Sequence, residues 1–253
     1  MLKATEARGQ LNSVLRELHL PTIRQCYEEQ AELARRESLS HEHYLLELGQ
    51  RELEARRQNR VARLLRESKL PLEKSWKAFD RQRLPRKVDA QVAVLLEGSF
   101  VERCENVLAF GNPGSGKTHL MCAIGQELVH RGRRVRFSSC SLLVQELLSA
   151  KRELKLARFL KWLSRFSPLI IDDLGYVQQN REEMEVLFTL LAERYERGSL
   201  MITSNLPFSQ WEKIFKDPMT TAAAIDRLVH HSIILELNVP SYRLEQSKKA
   251  KAG

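Results

Sequence analysis

Cysteine is scarce and badly spaced for metal or disulfide chemistry. The chain of 253 residues has four, Cys26, Cys104, Cys122 and Cys140, and no two make a C-x-x-C pair. That spacing excludes the usual zinc ligand sets and a disulfide framework. Three of the four flank or occupy the predicted core and are expected as buried thiols. His41 and His43 stand at i, i+2 and so do not share a helix face, which excludes them as a chelating pair. No apolar run reaches membrane-spanning length, and Met1 to Gln10 is polar and charged, unlike a signal peptide. A soluble, reduced, cytoplasmic chain with no membrane partner is expected. Internal repeats are missing too. With 43% hydrophobic residues, the chain can bury one main domain plus an appendage.

What the chain does have begins with Gly111-Asn112-Pro113-Gly114-Ser115-Gly116-Lys117-Thr118, which matches G-x-x-x-x-G-K-[ST] at every position. The apolar run Val107 to Phe110 predicts a buried strand entering the loop, and His119 to Val129 a helix leaving it. Wrapping a triphosphate requires backbone N–H groups turned inward and glycine where a Cβ would clash. The helix N-terminus adds partial positive charge toward the phosphates. Lys117 would reach the β- and γ-phosphates, and the Thr118 hydroxyl would ligate Mg²⁺. The loop residues, with His119 at the start of the helix, form the expected ATP site.

Two further strand ends complete an NTPase pattern. Pro168 to Asp173 is a short apolar run closing on two acids. Asp172 would hold Mg²⁺ through water, and Asp173 would polarise the attacking water. Leu200 to Asn205 is a second buried run with a polar end, where Asn205 would orient water against the γ-phosphate.

The net charge of +9 is concentrated rather than spread. Arg51 to Lys87 holds 13 Lys and Arg against 5 Asp and Glu, and Leu128 to Arg165 holds 10 against 2. Two basic blocks on an NTPase point to a phosphate backbone held at two places. On one continuous helix, Lys151, Lys155, Arg158, Lys161 and Arg165 fall in a single stripe of about 120°. Leu156, Phe159, Leu160, Leu163 and Phe166 line the neighbouring stripe, which is expected to pack on the core. No Asn or Gln accompanies these cations, so sequence-independent contacts to double-stranded DNA are expected rather than base readout.

Residues 1–70 read as a helical domain with a break at Leu20-Pro21, and 71–88 as a basic connector. An α/β domain follows over 89–240, then a short basic tail over 241–253. Its strands are expected near 107–110, 134–139, 168–172, 199–204 and 232–237, alternating with helices. That order predicts a five-stranded parallel sheet with nucleotide at the strand C-termini.

Several stretches resemble the IstB-type transposition helper ATPases. They are the phosphate loop, the acid pair with Leu174-Gly175-Tyr176, Arg194 to Ser199, Ile202 to Phe208, Asp226 to His231, and Ser241-Tyr242-Arg243. Glu29-Gln30 and Asn59 to Leu65 resemble that family's helical domain. The resemblance implies a bacterial AAA+ ATPase of the initiator clade, related to helicase loaders of the DnaC type. It implies a homo-oligomer assembled on DNA with ATP, which assists an insertion-sequence transposase in target selection and strand transfer. It makes Arg227 the arginine finger reaching a neighbour's nucleotide, and Arg243 a contact to nucleotide in its own subunit. Too few residues follow the α/β domain for the small lid of many AAA+ proteins. The sequence departs from the family in one place: many members carry Asp-Glu where this chain has Asp172-Asp173, which implies slow turnover. Two other functions stay open at this level, a replicative helicase loader and a non-catalytic, nucleotide-stabilised DNA-binding scaffold.

Overall fold

The computed structural model describes residues 4–175, 181–211, 218–242 and 244–245. They fall into two compact units, Met1–Arg63 and Leu64–Gly253.

The first unit holds α1 (Ala4–Glu17), α2 (Pro21–Arg36) and most of α3 (His41–Ser68). Pro21 stands at the first position of α2, where its missing N–H loses no helical bond. The Glu52 carboxylate, carried by α3, accepts hydrogen bonds from the Thr22 and Ile23 N–H groups at 2.9 and 3.1 Å. A neighbouring helix thereby supplies the anionic cap that α2 lacks in its own sequence. Ser40 accepts from the His43 N–H and caps α3. Leu15, Tyr27 and Leu48 form the small core, and the Tyr44 hydroxyl donates to the Tyr27 carbonyl.

In the second unit a connector with a single 3-10 turn at Arg81–Arg83 leads to α4 (Arg86–Glu97) and the short α5 (Ser99–Glu102). Then come β1 (Asn106–Gly111), α6 (Lys117–His130), β2 (Arg136–Ser139), α7 (Cys140–Arg152), α8 (Leu156–Leu163) and β3 (Leu169–Asp172). The order ends with α9 (Arg181–Arg194), β4 (Leu200–Ser204), α10 (Pro218–Val229) and β5 (Ser232–Leu237). All five strands run parallel in the order β2-β3-β4-β1-β5. The apolar runs are therefore strands, and each lies within two residues of its expected position.

Both faces of the sheet are covered, which is why the inner strands β1, β3 and β4 are near-continuous apolar runs. Leu169, Ile171, Leu200 and Ile202 point to the face covered by α7, α9 and α10. α6 lies along β3, β4 and β1 and is buried almost all round, through Leu120, Met121, Ala123 and Ile124. The central strand β1 pairs with β4 on one side and β5 on the other, so the loop leaving it emerges in the middle of the C-terminal edge.

Two expectations need correction. The cationic stripe over 151–165 does not lie on one helix. Leu154 takes a left-handed φ of 57°, and the Lys155 N–H closes back on the Ala150 carbonyl at 2.7 Å. This 6→1 closure ends α7 and starts α8 in a new direction. The cysteine expectation fails at one position: Cys122 and Cys140 are buried, whereas Cys26 and Cys104 are only partly so. Burial pushes the Cys122 thiol up to about 12, so it is inert.

Candidate nucleotide-binding site

The phosphate loop occupies the turn between β1 and α6, and its glycines are there for steric reasons. A Cβ on Gly111 would stand 2.3 Å from the Leu237 carbonyl oxygen, because β1 and β5 remain paired to that residue. Gly116 caps α6, which begins at Lys117, two residues before the expected start. Asn112 and Pro113 lie on the exposed outside of the turn. The Ser115 side-chain oxygen is buried within it and has no hydrogen-bond partner among the described residues. An orphaned buried hydroxyl in a loop of this sequence fits a polar ligand such as a phosphate.

Lys117 is buried, and its ammonium donates to the Gly111 and Asn112 carbonyls at 2.7 and 2.9 Å. It also donates to Asn205 Oδ1 at 2.6 Å. Asn205 follows β4, the neighbour of β1, so sheet order brings the polar end of β4 beside the lysine that starts α6 after β1. Thr118 Oγ1 donates to Asp172 Oδ1 at 2.8 Å. These two hard oxygen donors, one neutral and one anionic, fit Mg²⁺.

Thr203 is a residue that sequence reasoning missed. Its hydroxyl is fully buried, donates to Asp172 Oδ1 at 2.6 Å and accepts from the Asp173 N–H at 2.8 Å. One side chain on β4 thus holds both acids at the end of β3. Asp173 has a left-handed φ of 58°, a conformation Asp tolerates better than most residues. β3 ends at Asp172, and the chain turns just after Asp173, at Leu174 and Gly175. A threonine inside a buried strand reads as an ordinary β-branched strand former, so no sequence signal distinguished it.

Other expected residues are placed differently. The His119 ring meets the Ser75 carbonyl at 3.0 Å and packs edge-on against Phe79 at 5.1 Å, so it supports the connector rather than the loop interior. Arg227 lies on α10 with its guanidinium 4.6 Å from the Phe188 ring centroid, and its NH1 is buried without a hydrogen-bond partner among the described residues. Of the five cations, Lys151 pairs with Glu185 at 2.9 Å and Lys155 with Glu153 at 2.8 Å. Arg158 and Lys161 share α8 and are exposed, while Arg165 is exposed just beyond it. The apolar side of α8 packs on the core through Leu156, Phe159, Leu160 and Leu163, with buried Phe166 following. Tyr176 and Arg243 lie outside the described residues. Among the described residues, Glu196, His230 and His231 also gather as possible metal ligands. They precede β4 and β5 and so sit at the opposite end of the strands from the loop.

The model of the IstB-like ATP binding protein family matches residues 13–250. The chain belongs to that family. A relative named as an insertion-sequence ATP-binding protein of Sinorhizobium fredii is 43% identical, over 97% of this chain and 82% of its own length. One named as the IS21 ATP-binding protein of Pseudomonas aeruginosa is 38% identical over 95% and 91%. The crystal structure of the DnaC helicase loader is similar in fold, with a TM-score of 0.53, 21% identity, and coverage of 59% of this chain and 88% of that one. The α/β unit is therefore an AAA+ fold, and the chain is an IstB-like ATP-binding protein. No described helix is long and apolar enough to cross a membrane.

Proposed function

We propose that this IstB-like protein is a slow ATPase that assembles on double-stranded DNA and serves an insertion-sequence transposase. The observation that carries the ATPase reading is the convergence of Lys117, Thr118, Asp172, Thr203 and Asn205 at adjoining strand ends, joined by hydrogen bonds of 2.6–2.8 Å. The insertion-sequence names of the relatives support the biological setting.

The loop amides and Lys117 bind the triphosphate. Thr118 and Asp172 would hold Mg²⁺, which when bound offsets charge on the β- and γ-phosphates. Asp173 draws a proton from water as its oxygen attacks the γ-phosphorus, and the bond to the β–γ bridging oxygen breaks to leave ADP and phosphate. Asn205 orients that water, which requires the Lys117 ammonium to turn from Asn205 toward phosphate. Arg227 of a neighbouring copy would offset charge developing on the γ-phosphate. ATP held between copies stabilises the assembled state by mass action, and hydrolysis releases it. Exposed Arg158, Lys161 and Arg165, repeated around the assembly, would contact many backbone phosphates.

The test is particle mass on duplex and on single-stranded DNA, with ATP, with ADP and without nucleotide. A large, defined assembly on duplex with ATP, abolished by Lys117→Ala, is expected. A small complex confined to single strands would replace this reading with helicase loading. Assembly indifferent to nucleotide, without phosphate release, would leave only a DNA-binding scaffold.

A further inference from the structure

We infer that Arg83 is a positioning residue for nucleotide binding, acting through a clasp on the segment that follows β5. The inference rests on the ATP-site reading above and adds a residue from the connector, far from the loop in sequence.

The Arg83 guanidinium grips that segment at three points. It makes a bidentate pair with Glu245 at 2.7 and 3.1 Å, donates to the Pro240 carbonyl at 2.8 Å, and lies 5.1 Å from the centre of the Tyr242 ring. A planar fork can satisfy all three at once, which an ammonium cannot. Tyr242, held between those points, donates its backbone N–H to the Gly114 carbonyl at 3.0 Å.

That last bond fixes a peptide of the phosphate loop. Across a trans peptide the C=O of Gly114 and the N–H of Ser115 point in opposite directions. Anchoring the carbonyl to Tyr242 therefore turns the Ser115 N–H into the turn, where it meets the Asn112 carbonyl at 3.2 Å. An inward N–H is what a phosphate oxygen needs. The approach is close enough to require glycine: a Cβ on Gly114 would lie 2.1 Å from Ser241 Oγ. On its other side the loop meets the connector, with the Phe79 ring 3.5 Å from a Cβ built on Gly116. Arg83 ties the connector to the tail and so closes a frame around the loop. Its side chain is 21% exposed and that of Glu245 44%, so the pair is partly screened. A several-fold effect is expected rather than loss of binding.

The experiment titrates the full-length protein with a fluorescent ATP analogue and follows exchange of the Tyr242 amide. Arg83→Ala should weaken binding about tenfold and release the Tyr242 amide, with the melting temperature without nucleotide little changed. Glu245→Gln, which keeps the shape, should weaken it about threefold, because the Pro240 and Tyr242 contacts persist. Exchanging the charges, Arg83→Glu with Glu245→Arg, should recover part of the loss, which a merely structural role would not predict. Unchanged affinity in Arg83→Ala and Glu245→Gln while the amide exchanges freely would overturn the clasp and leave the ATP site standing. Loss of binding in Lys117→Ala alone has the same meaning. Failure of the unaltered protein to bind the analogue would overturn both.

Discussion

Thr203 shows how much can depend on one hydroxyl. Valine there would keep the shape of the side chain but remove the Thr203 acceptor from the Asp173 N–H and leave Asp172 with the Thr118 donor and without that of Thr203. Each unmet buried group costs about 1–3 kcal/mol. Thr203→Val should slow single-turnover phosphate release by about tenfold to a hundredfold. Nucleotide affinity, set mainly by the loop and Lys117, should change no more than about threefold by fluorescence titration. Equal losses in both would mean that Thr203 supports the fold and not the acids. Arg194 is a second residue whose role lies in contacts rather than spacing. It is buried, burial pulls its guanidinium down to about 10, and its partners are the Phe166 and Ser199 carbonyls at 2.8 Å. It pins the end of the α8 segment to the start of β4. Sequence reading noticed Arg194 as part of a family stretch, but the carbonyls that hold it are backbone atoms with no residue code.

At the scale of elements, periodic patterns were legible where one rule applied throughout. The strands were found because a parallel sheet buried on both faces demands short apolar runs, and the phosphate loop because its chemistry needs particular residues in order. The α7–α8 elbow escaped because a 3.6-residue period continues through 151–165, and Leu154 carries none of the usual Gly or Asn warning of a left-handed turn. The cap on α2 escaped for another reason: its carboxylate, Glu52, comes from thirty residues on. Burial opposes the charge on Glu52, but the Arg56 contact and the two amide bonds outweigh it and hold the carboxyl below its ordinary 4.5. A depressed value in the folded state contributes stability above pH 4.5 that is lost as pH falls through the folded value. Glu52→Gln should therefore lower the stability of the helical unit by about 2 kcal/mol near neutrality. It should also flatten the stability profile below pH 4.5. Circular dichroism melts of both proteins across that range test this. A parallel offset at every pH would rule out the carboxylate as the source.

For the whole molecule, the proposed contact with DNA rests on charge. With Lys151 and Lys155 committed to Glu185 and Glu153, the exposed cations of α8 are the better candidates for DNA. Arg158→Glu with Lys161→Glu should weaken duplex binding at every sequence alike. It should also reduce the slope of log affinity against log salt by about two for each subunit bound. A salt slope unchanged by the double substitution would place the DNA elsewhere, the basic block of 51–87 being the next surface to test. Sheet order carries a different consequence, for biosynthesis. The phosphate loop leaves β1, yet both partners of β1 are encoded far downstream, β4 from Leu200 and β5 from Ser232. The carbonyl that crowds Gly111 and the amide that anchors Gly114 arrive later still, at Leu237 and Tyr242. A nascent chain therefore carries the phosphate-loop motif from Thr118 until Tyr242 is added without the strands and the anchor that frame it. The loop is thus translated well before the strands and the backbone anchor that frame it, and its frame closes only when the segment after β5 has been made.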